Sequence, residues 1–216
     1  MRNVQTVNLG VNTEIFSPEP DDCAETRRSL RIDPDRKLLL YIGRLAHEKN
    51  VETLFTSFEI LSERRPHEFA LLVIGDGSQR KTLRRLQAKN ATVKWIQYCT
   101  DSSELARFYR AADLFVHPGV QETFGLVALE SQASGTPVVG ISGSSMDRII
   151  LHEQGSWARE NSAKALADAI EAFCGQDLKN LGASAATAVA ERYSWLRVFD
   201  GLLCIYRKVC ADYRQH

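Results

Sequence analysis

Residues 37–78 read KLLLYIGRLAHEKNVETLFTSFEILSERRPHEFALLVIGDGS, and this stretch decides the fold. An apolar run, Lys37–Gly43, passes through a charged loop into a helical pattern over Asn50–Arg65, and a second apolar run, Phe69–Gly75, follows. Both runs are rich in Leu, Val and Ile and lack strict alternation, which is how strands buried on both faces read. The same texture recurs at Val93–Tyr98, Leu114–His117 and Pro137–Ile141. Helical patterns fill the gaps at Ser78–Asn90, Ser102–Ala112, Thr123–Ser134 and roughly Ser144–His152. Asp101-Ser102-Ser103-Glu104 is a capping-box signature, and Leu105, Phe108, Tyr109 and Ala112 follow at helical spacing. A sixth short strand is expected near Gly155–Ala158, then helices at Ser162–Phe173, Asp177–Arg192 and Trp195–Tyr213. Strand–helix alternation of this kind predicts βαβ units with right-handed crossovers. The expected fold is α/β, a doubly wound parallel sheet of Rossmann-like type over residues 37–192. Residues 1–36 are polar, hold Pro18, Pro20 and Pro34, and look strand-like only at Val4–Val7; they read as a lead-in or linker.

Composition removes other classes. The chain has 216 residues, 44% apolar and 25% charged, so disorder and coiled coil are disfavoured. Lys+Arg and Asp+Glu both number 27, which gives no global charge for nucleic acid. No apolar run reaches the roughly 18 residues that span a bilayer. Met1–Val7 lacks a signal peptide's apolar core, and the five cysteines form no CxxC pair. A cytoplasmic setting is expected, at most peripheral at the inner membrane face.

Open parallel sheets bind ligands at the carboxyl ends of their strands, and three groups fall there. Gly43-Arg44-Leu45-Ala46-His47-Glu48-Lys49-Asn50 leaves the first strand; Arg44 and Lys49 could bring two cations to one diphosphate, or be surface charges on a solvated loop. After the fourth strand comes Glu122, then Thr123–Leu126 with helix N–H groups for an anion, then Glu130 eight residues on among apolar neighbours. Glu130 needs a partner, for which ribose hydroxyls would serve. The bland alternative makes Glu122 a dipole partner and leaves Glu130 exposed. Gly75-Asp76-Gly77-Ser78 is not a dinucleotide fingerprint, since Arg80 stands at the last glycine, and reads as a tight turn and N-cap.

Asp33-Pro34-Asp35 matches a metal-binding DxD pattern but reads as a turn. His117 could be a general base, although a structural hydrogen bond is the plainer role. Trp95, Trp157 and Trp195 read as packing residues.

Gly43-Arg44-Leu45…Glu48-Lys49-Asn50, Glu122-Thr123-Phe124-Gly125-Leu126…Glu130 and Ser134-Gly135-Thr136-Pro137-Val138-Val139 together resemble the family 4 retaining nucleotide-sugar glycosyltransferases of GT-B fold. Leu9–Phe16 is similar to the segment joining their two Rossmann domains. The resemblance implies the C-terminal, donor-binding half of such an enzyme, Met1 being an addition at the boundary. Residues 193–216 would be the helix that crosses to the N-terminal acceptor domain, with Val198, Leu202, Ile205 and Val209 buried on this domain or facing the other. It further implies that Arg44 and Lys49 hold the donor diphosphate, with Gly43 and the backbone of Phe124, Gly125 and Leu126. Glu122 would contact the sugar, Glu130 the ribose, and the backbone of Tyr98 and Cys99 the base. No metal or cofactor would be required, because cations and N–H groups stabilise the leaving group. Partners would be a UDP-, GDP- or ADP-linked sugar and the acceptor domain, with no nucleic acid and any membrane contact through that domain. The isolated chain is expected to be inactive. A non-catalytic nucleotide-sugar-binding module, or a GT-B epimerase or phosphorylase, are the alternatives. The stretch Ser142–Ala158 departs from the family's usual glycine-rich turn and sixth strand.

Overall fold

The computed structural model describes residues 7–18, 22–122, 124–143, 145–151 and 157–213. Helix α1 (Cys23–Ser29) precedes strand β1 (Lys37–Ile42) and helix α2 (Val51–Arg64). Next come β2 (Phe69–Ile74), α3 (Arg80–Lys89), β3 (Val93–Ile96), α4 (Ser102–Ala111) and β4 (Leu114–His117). The chain continues through α5 (Leu126–Ala133), β5 (Val138–Gly140), α6 (Ala163–Cys174), α7 (Leu178–Tyr193) and α8 (Trp195–Tyr213). All strand pairs are parallel, in the order β3-β2-β1-β4-β5. The chain therefore runs outward from β1 to β3 and returns to lay β4 on the other side of β1. That reversal opens a crevice between the carboxyl ends of β1 and β4.

Alternate residues of β1 feed two cores. Leu39 and Tyr41 pack with Leu54 and Phe58 of α2, Leu83 of α3 and Ile170 of α6. Leu38 and Leu40 pack with Tyr109 of α4, Leu129 of α5 and Val189 of α7. Both faces being covered explains why the strands read as continuous apolar runs.

The segment before β1 is not a loose linker throughout. Arg27 donates to the carbonyl of Ala111 at 2.8 Å and pairs with Asp113 at 2.6 Å. Asp113 also accepts the β1 amide of Leu38 at 2.7 Å, so one carboxylate ties α1 to the start of the sheet. Asp22 pairs with Arg110 of α4. Phe16 and Ile32 join the second core, and the amide of Val11 donates to the carbonyl of Tyr193 at the α7–α8 corner at 2.7 Å.

Four local expectations need correcting. The helix expected from Thr123 starts at Leu126, because Gly125 at its N-cap is left-handed (φ 81°) and breaks the helical path. The helix expected over Ser144–His152 is a single 3₁₀ turn, Ser145–Arg148, with Ser144 and His152 outside the described residues. The sixth strand contracts to one parallel bridge, Ile141 with Ala158, while Gly155 and Ser156 lie outside the described residues, as do Val4–Thr6. Half of the capping box forms: Asp101 caps the Ser103 amide at 2.8 Å, but Glu104 accepts the Cys99 thiol instead.

Candidate functional site

A cleft of about 430 Å³ lies at the β1–β4 switch point, lined by Gly43, Arg44, Lys49, His117, Glu122 and Phe124–Val127 among others. The floor is built from two strand exits pressed together. Leu45 donates to the carbonyl of Asp76 at 2.9 Å, and a Cβ built on Gly75 (φ +138°) would lie 2.0 Å from the Gly43 carbonyl oxygen. Gly75 and Gly77 thus let the β2 exit support the β1 exit, a role missed by the turn-and-cap reading of Gly75–Ser78. Ser78 does not cap α3; its N-cap is Gln79, whose side chain accepts from the Thr82 hydroxyl and caps no amide. The Gly-x-Gly spacing itself was the available signal.

Lys49 closes a 3₁₀ turn, His47–Lys49, and is followed by left-handed Asn50. Asn50 Nδ2 donates to the Pro118 carbonyl at 2.8 Å, fastening the start of α2 to the exit of β4. This anchor brings Lys49 Nζ to Glu122 Oε2 at 2.7 Å, with side chains 24% and 15% exposed. His117 Nε2 faces the same oxygen at 3.6 Å. One carboxylate oxygen therefore meets a lysine and a histidine from two different strand exits. Arg44 also reaches the cleft, but it is exposed, and among the described residues its ion pair is with Glu48, at 3.0 Å. An exposed pair of this kind is easily exchanged for another anion. Tyr41 donates its hydroxyl to the Arg44 carbonyl at 3.0 Å; burial, then the Glu122 charge, raises its pKa so that it stays a donor.

Seven sequence-predicted residues thus come together: Gly43, Arg44, Lys49, Glu122, Phe124, Gly125 and Leu126. Glu130, Tyr98 and Cys99 are not among the lining residues. Glu130 is half-buried on α5 and accepts from Tyr109 Oη at 3.0 Å. Burial raises its pKa above the ordinary 4.5, and the tyrosine bond offsets part of that rise. Because Gly125 interrupts the helix, Glu122 and Glu130 do not ride on one continuous rod. Tyr98 is 80% exposed, and burial with the Glu104 hydrogen bond pushes the Cys99 thiol up to about 11. Asp33-Pro34-Asp35 is a turn in which the Asp35 amide donates to Asp33 Oδ1 at 3.0 Å. Among the described residues no group of three or more His, Cys, Asp or Glu is placed to hold a metal ion. Trp157 is buried and Trp95 donates to the Gly75 carbonyl, but Trp195 is exposed and stacks on Phe199.

Comparison with known proteins agrees with this geometry. The family model "Glycosyl transferases group 1" matches residues 22–186. A D-inositol 3-phosphate glycosyltransferase of Segniliparus rotundus is 32% identical over 95% of this chain and 47% of its own length. The chain spans about half the length of the curated relatives it matches. Sucrose-phosphate synthase of Thermosynechococcus elongatus superposes with a TM-score of 0.80 at 27% identity, over 96% of this chain and 53% of that one. The C-terminal domain of a group 1 family glycosyl transferase of Francisella tularensis superposes at 0.72 with 22% identity, over 86% of this chain and all of that one. With the matched model covering most of its length and the motifs gathered at one sheet edge, this chain belongs to the glycosyl transferases group 1 family and has the Rossmann-like architecture of a GT-B half.

Proposed function

We propose that this chain is the donor half of a retaining glycosyltransferase and binds a nucleoside-diphosphate sugar in the β1–β4 cleft. The observation that carries the reading is the meeting of Lys49 and Glu122 at the switch point, beside exchangeable Arg44 and the first turn of α5. Cations and unpaired N–H groups there suit a diphosphate, while a carboxylate suits hydroxyls. In transfer, the bond between the sugar's anomeric carbon and the diphosphate oxygen breaks, and an acceptor oxygen bonds that carbon on the same face, its proton passing in the end to the departed diphosphate or to water. The diphosphate leaves with added negative charge, which Lys49 and Arg44 offset without a divalent metal.

The acceptor would come from a second domain. Support comes from α8, where Leu196, Phe199, Leu203 and Tyr206 leave an exposed apolar stripe at helical spacing. The stripe read from sequence divides differently: Val198 is buried, Leu202 and Ile205 are half-buried, and Val209 is exposed. No helix of the described residues is long and apolar enough to cross a membrane, and all five cysteines are free, as a cytoplasmic enzyme would have them.

The isolated chain should bind one of UDP, GDP or ADP in the presence of EDTA and transfer no sugar. Calorimetry that finds binding strictly dependent on Mg²⁺, or a radiolabelled-donor assay that finds transfer, would refute those two statements respectively.

A separate expectation concerns Glu130, proposed to grip the ribose. Below about pH 4.5 folded and unfolded chains both hold its proton; above that the unfolded chain ionises first, so folding loses ground as pH rises. Glu130→Gln should therefore melt higher than wild type at pH 7, with the gain vanishing near pH 4. The same change should weaken bare nucleotide and whole donor alike, about tenfold or more, as loss of a charge-assisted contact does. A lower melting temperature at pH 7, with unchanged nucleotide affinity, would remove Glu130 from the site.

A further inference from the structure

One deep polar group in the cleft has no part in the scheme above. His117 ends β4, is 5% exposed, and lines the cleft. Its Nδ1 is buried and lacks a hydrogen-bond partner among the described residues. Buried polar atoms are almost always paired, so this nitrogen awaits a partner. The neighbour on that side is Gly119, where an added Cβ would lie 3.2 Å from His117 Cε1 and 3.8 Å from Nδ1. Gly119 also lines the cleft. Because Gly119 has no side chain, no Cβ fills the space beside that edge of the ring.

The chemistry of the opposite edge decides what that partner is. Glu122 is ion-paired with Lys49, so it is a carboxylate and can only accept. Its charge, 3.6 Å from Nε2, favours the tautomer that carries the hydrogen on that nitrogen. In the neutral ring Nδ1 is then a lone pair, an acceptor. A diphosphate oxygen has no hydrogen to give it, whereas a sugar hydroxyl has. We infer that His117 is a specificity-determining residue whose Nδ1 accepts a hydrogen bond from a hydroxyl of the transferred sugar. The inference rests on the donor-site reading above. It divides the labour in the cleft: Lys49 and Arg44 take the diphosphate, and the Glu122–His117 pair takes hydroxyls.

The two amide replacements for histidine separate this role from support of Glu122. Asparagine keeps a polar atom near the position of Nδ1, and glutamine near that of Nε2. The probes are UDP with UDP-glucose, GDP with GDP-mannose and ADP with ADP-glucose, measured by calorimetry at pH 8 on the present chain. For the pair that wild type binds, His117→Ala, His117→Gln and His117→Asn should each leave the bare diphosphate within about twofold. The extra affinity given by the sugar should fall about three- to tenfold in the alanine and glutamine variants, and persist in the asparagine variant. A measurement on wild type alone guards against misfolded variants: the ¹⁵N resonance of His117 Nδ1 should move with the nucleotide sugar and stay with the bare diphosphate. Equal losses for both ligands, rescue by glutamine rather than asparagine, a sugar that adds no affinity in wild type, or a static Nδ1 resonance would each overturn the inference and leave the donor site standing. Binding of none of the six probes would overturn the donor site itself, and this inference with it.

Discussion

Lys49→Ala is expected to lower affinity for a nucleoside diphosphate by about ten- to hundredfold, the range for a lost charge-assisted contact of about 1.5–3 kcal/mol. Two effects add. The phosphate loses a cation, and Glu122, whose side chain is 15% exposed, loses the ammonium that holds it at 2.7 Å. A carboxylate that has lost its ammonium then faces the incoming anion. Removing that second effect should recover part of the loss, so the double variant Lys49→Ala/Glu122→Gln should bind bare diphosphate more tightly than Lys49→Ala alone. Arg44→Ala should cost less than Lys49→Ala, because Arg44 is exposed and can be replaced by solvent. Calorimetry on wild type, Lys49→Ala, Glu122→Gln and the double variant forms a double-mutant cycle for the pair, with Arg44→Ala beside it. Unchanged binding by Lys49→Ala would mean that the diphosphate lies elsewhere.

Gly75→Ala should be among the most damaging small substitutions at the ligand edge of the sheet. The new methyl group would sit 2.0 Å from the Gly43 oxygen and 2.9 Å from its carbonyl carbon, at a φ of +138° that L-residues avoid. Backbone cannot swing aside as a flexible side chain does, so one strand exit must move. A loss of about 3 kcal/mol or more is expected, lowering the melting temperature by roughly 6–12 °C for a domain of this size. The displaced exit carries Gly43 and Arg44, so nucleotide binding should fail as well. Gly201→Ala is the control: it lies in α8 with nothing within 4 Å of the added carbon, and should be neutral or gain about 1 kcal/mol. Scanning calorimetry showing the same melting shift for both changes would contradict the described packing of the two exits.

These contrasts mark what could be read from residues alone. Strand runs such as Lys37–Gly43 and Leu114–His117 were legible because double-sided burial leaves an unbroken apolar signature. Lys49 and Glu122 were legible as residues at strand exits, but their ion pair was not. It spans 73 positions and depends on Asn50 binding the Pro118 carbonyl. Tyr109 was counted as one apolar position of a helical stripe; that its hydroxyl meets Glu130 depends on how α4 and α5 pack. The start of α5 was misplaced because a single glycine within a helical pattern is compatible with helix, and only the backbone shows Gly125 to be left-handed. The region after β5 resisted for a related reason: a 3₁₀ turn and a one-residue bridge are too short to leave a periodicity.

The carboxylate of Asp113 sets where this chain can be cut. The change of texture at Lys37 suggests a domain boundary, yet Asp113 holds the Leu38 amide of the first strand and the guanidinium of Arg27 at once. A gene trimmed to begin at Lys37 would leave that carboxylate with Lys37 Nζ, 3.9 Å away, as its remaining cation. The same cut would strip Phe16 and Ile32 from the core they complete and free the α7–α8 corner that Val11 fastens. The unit that folds and unfolds together therefore starts well upstream of its first strand. For expression, fusion to another domain or limited proteolysis, the workable boundary lies before Gly10, where the backbone already packs against Trp195.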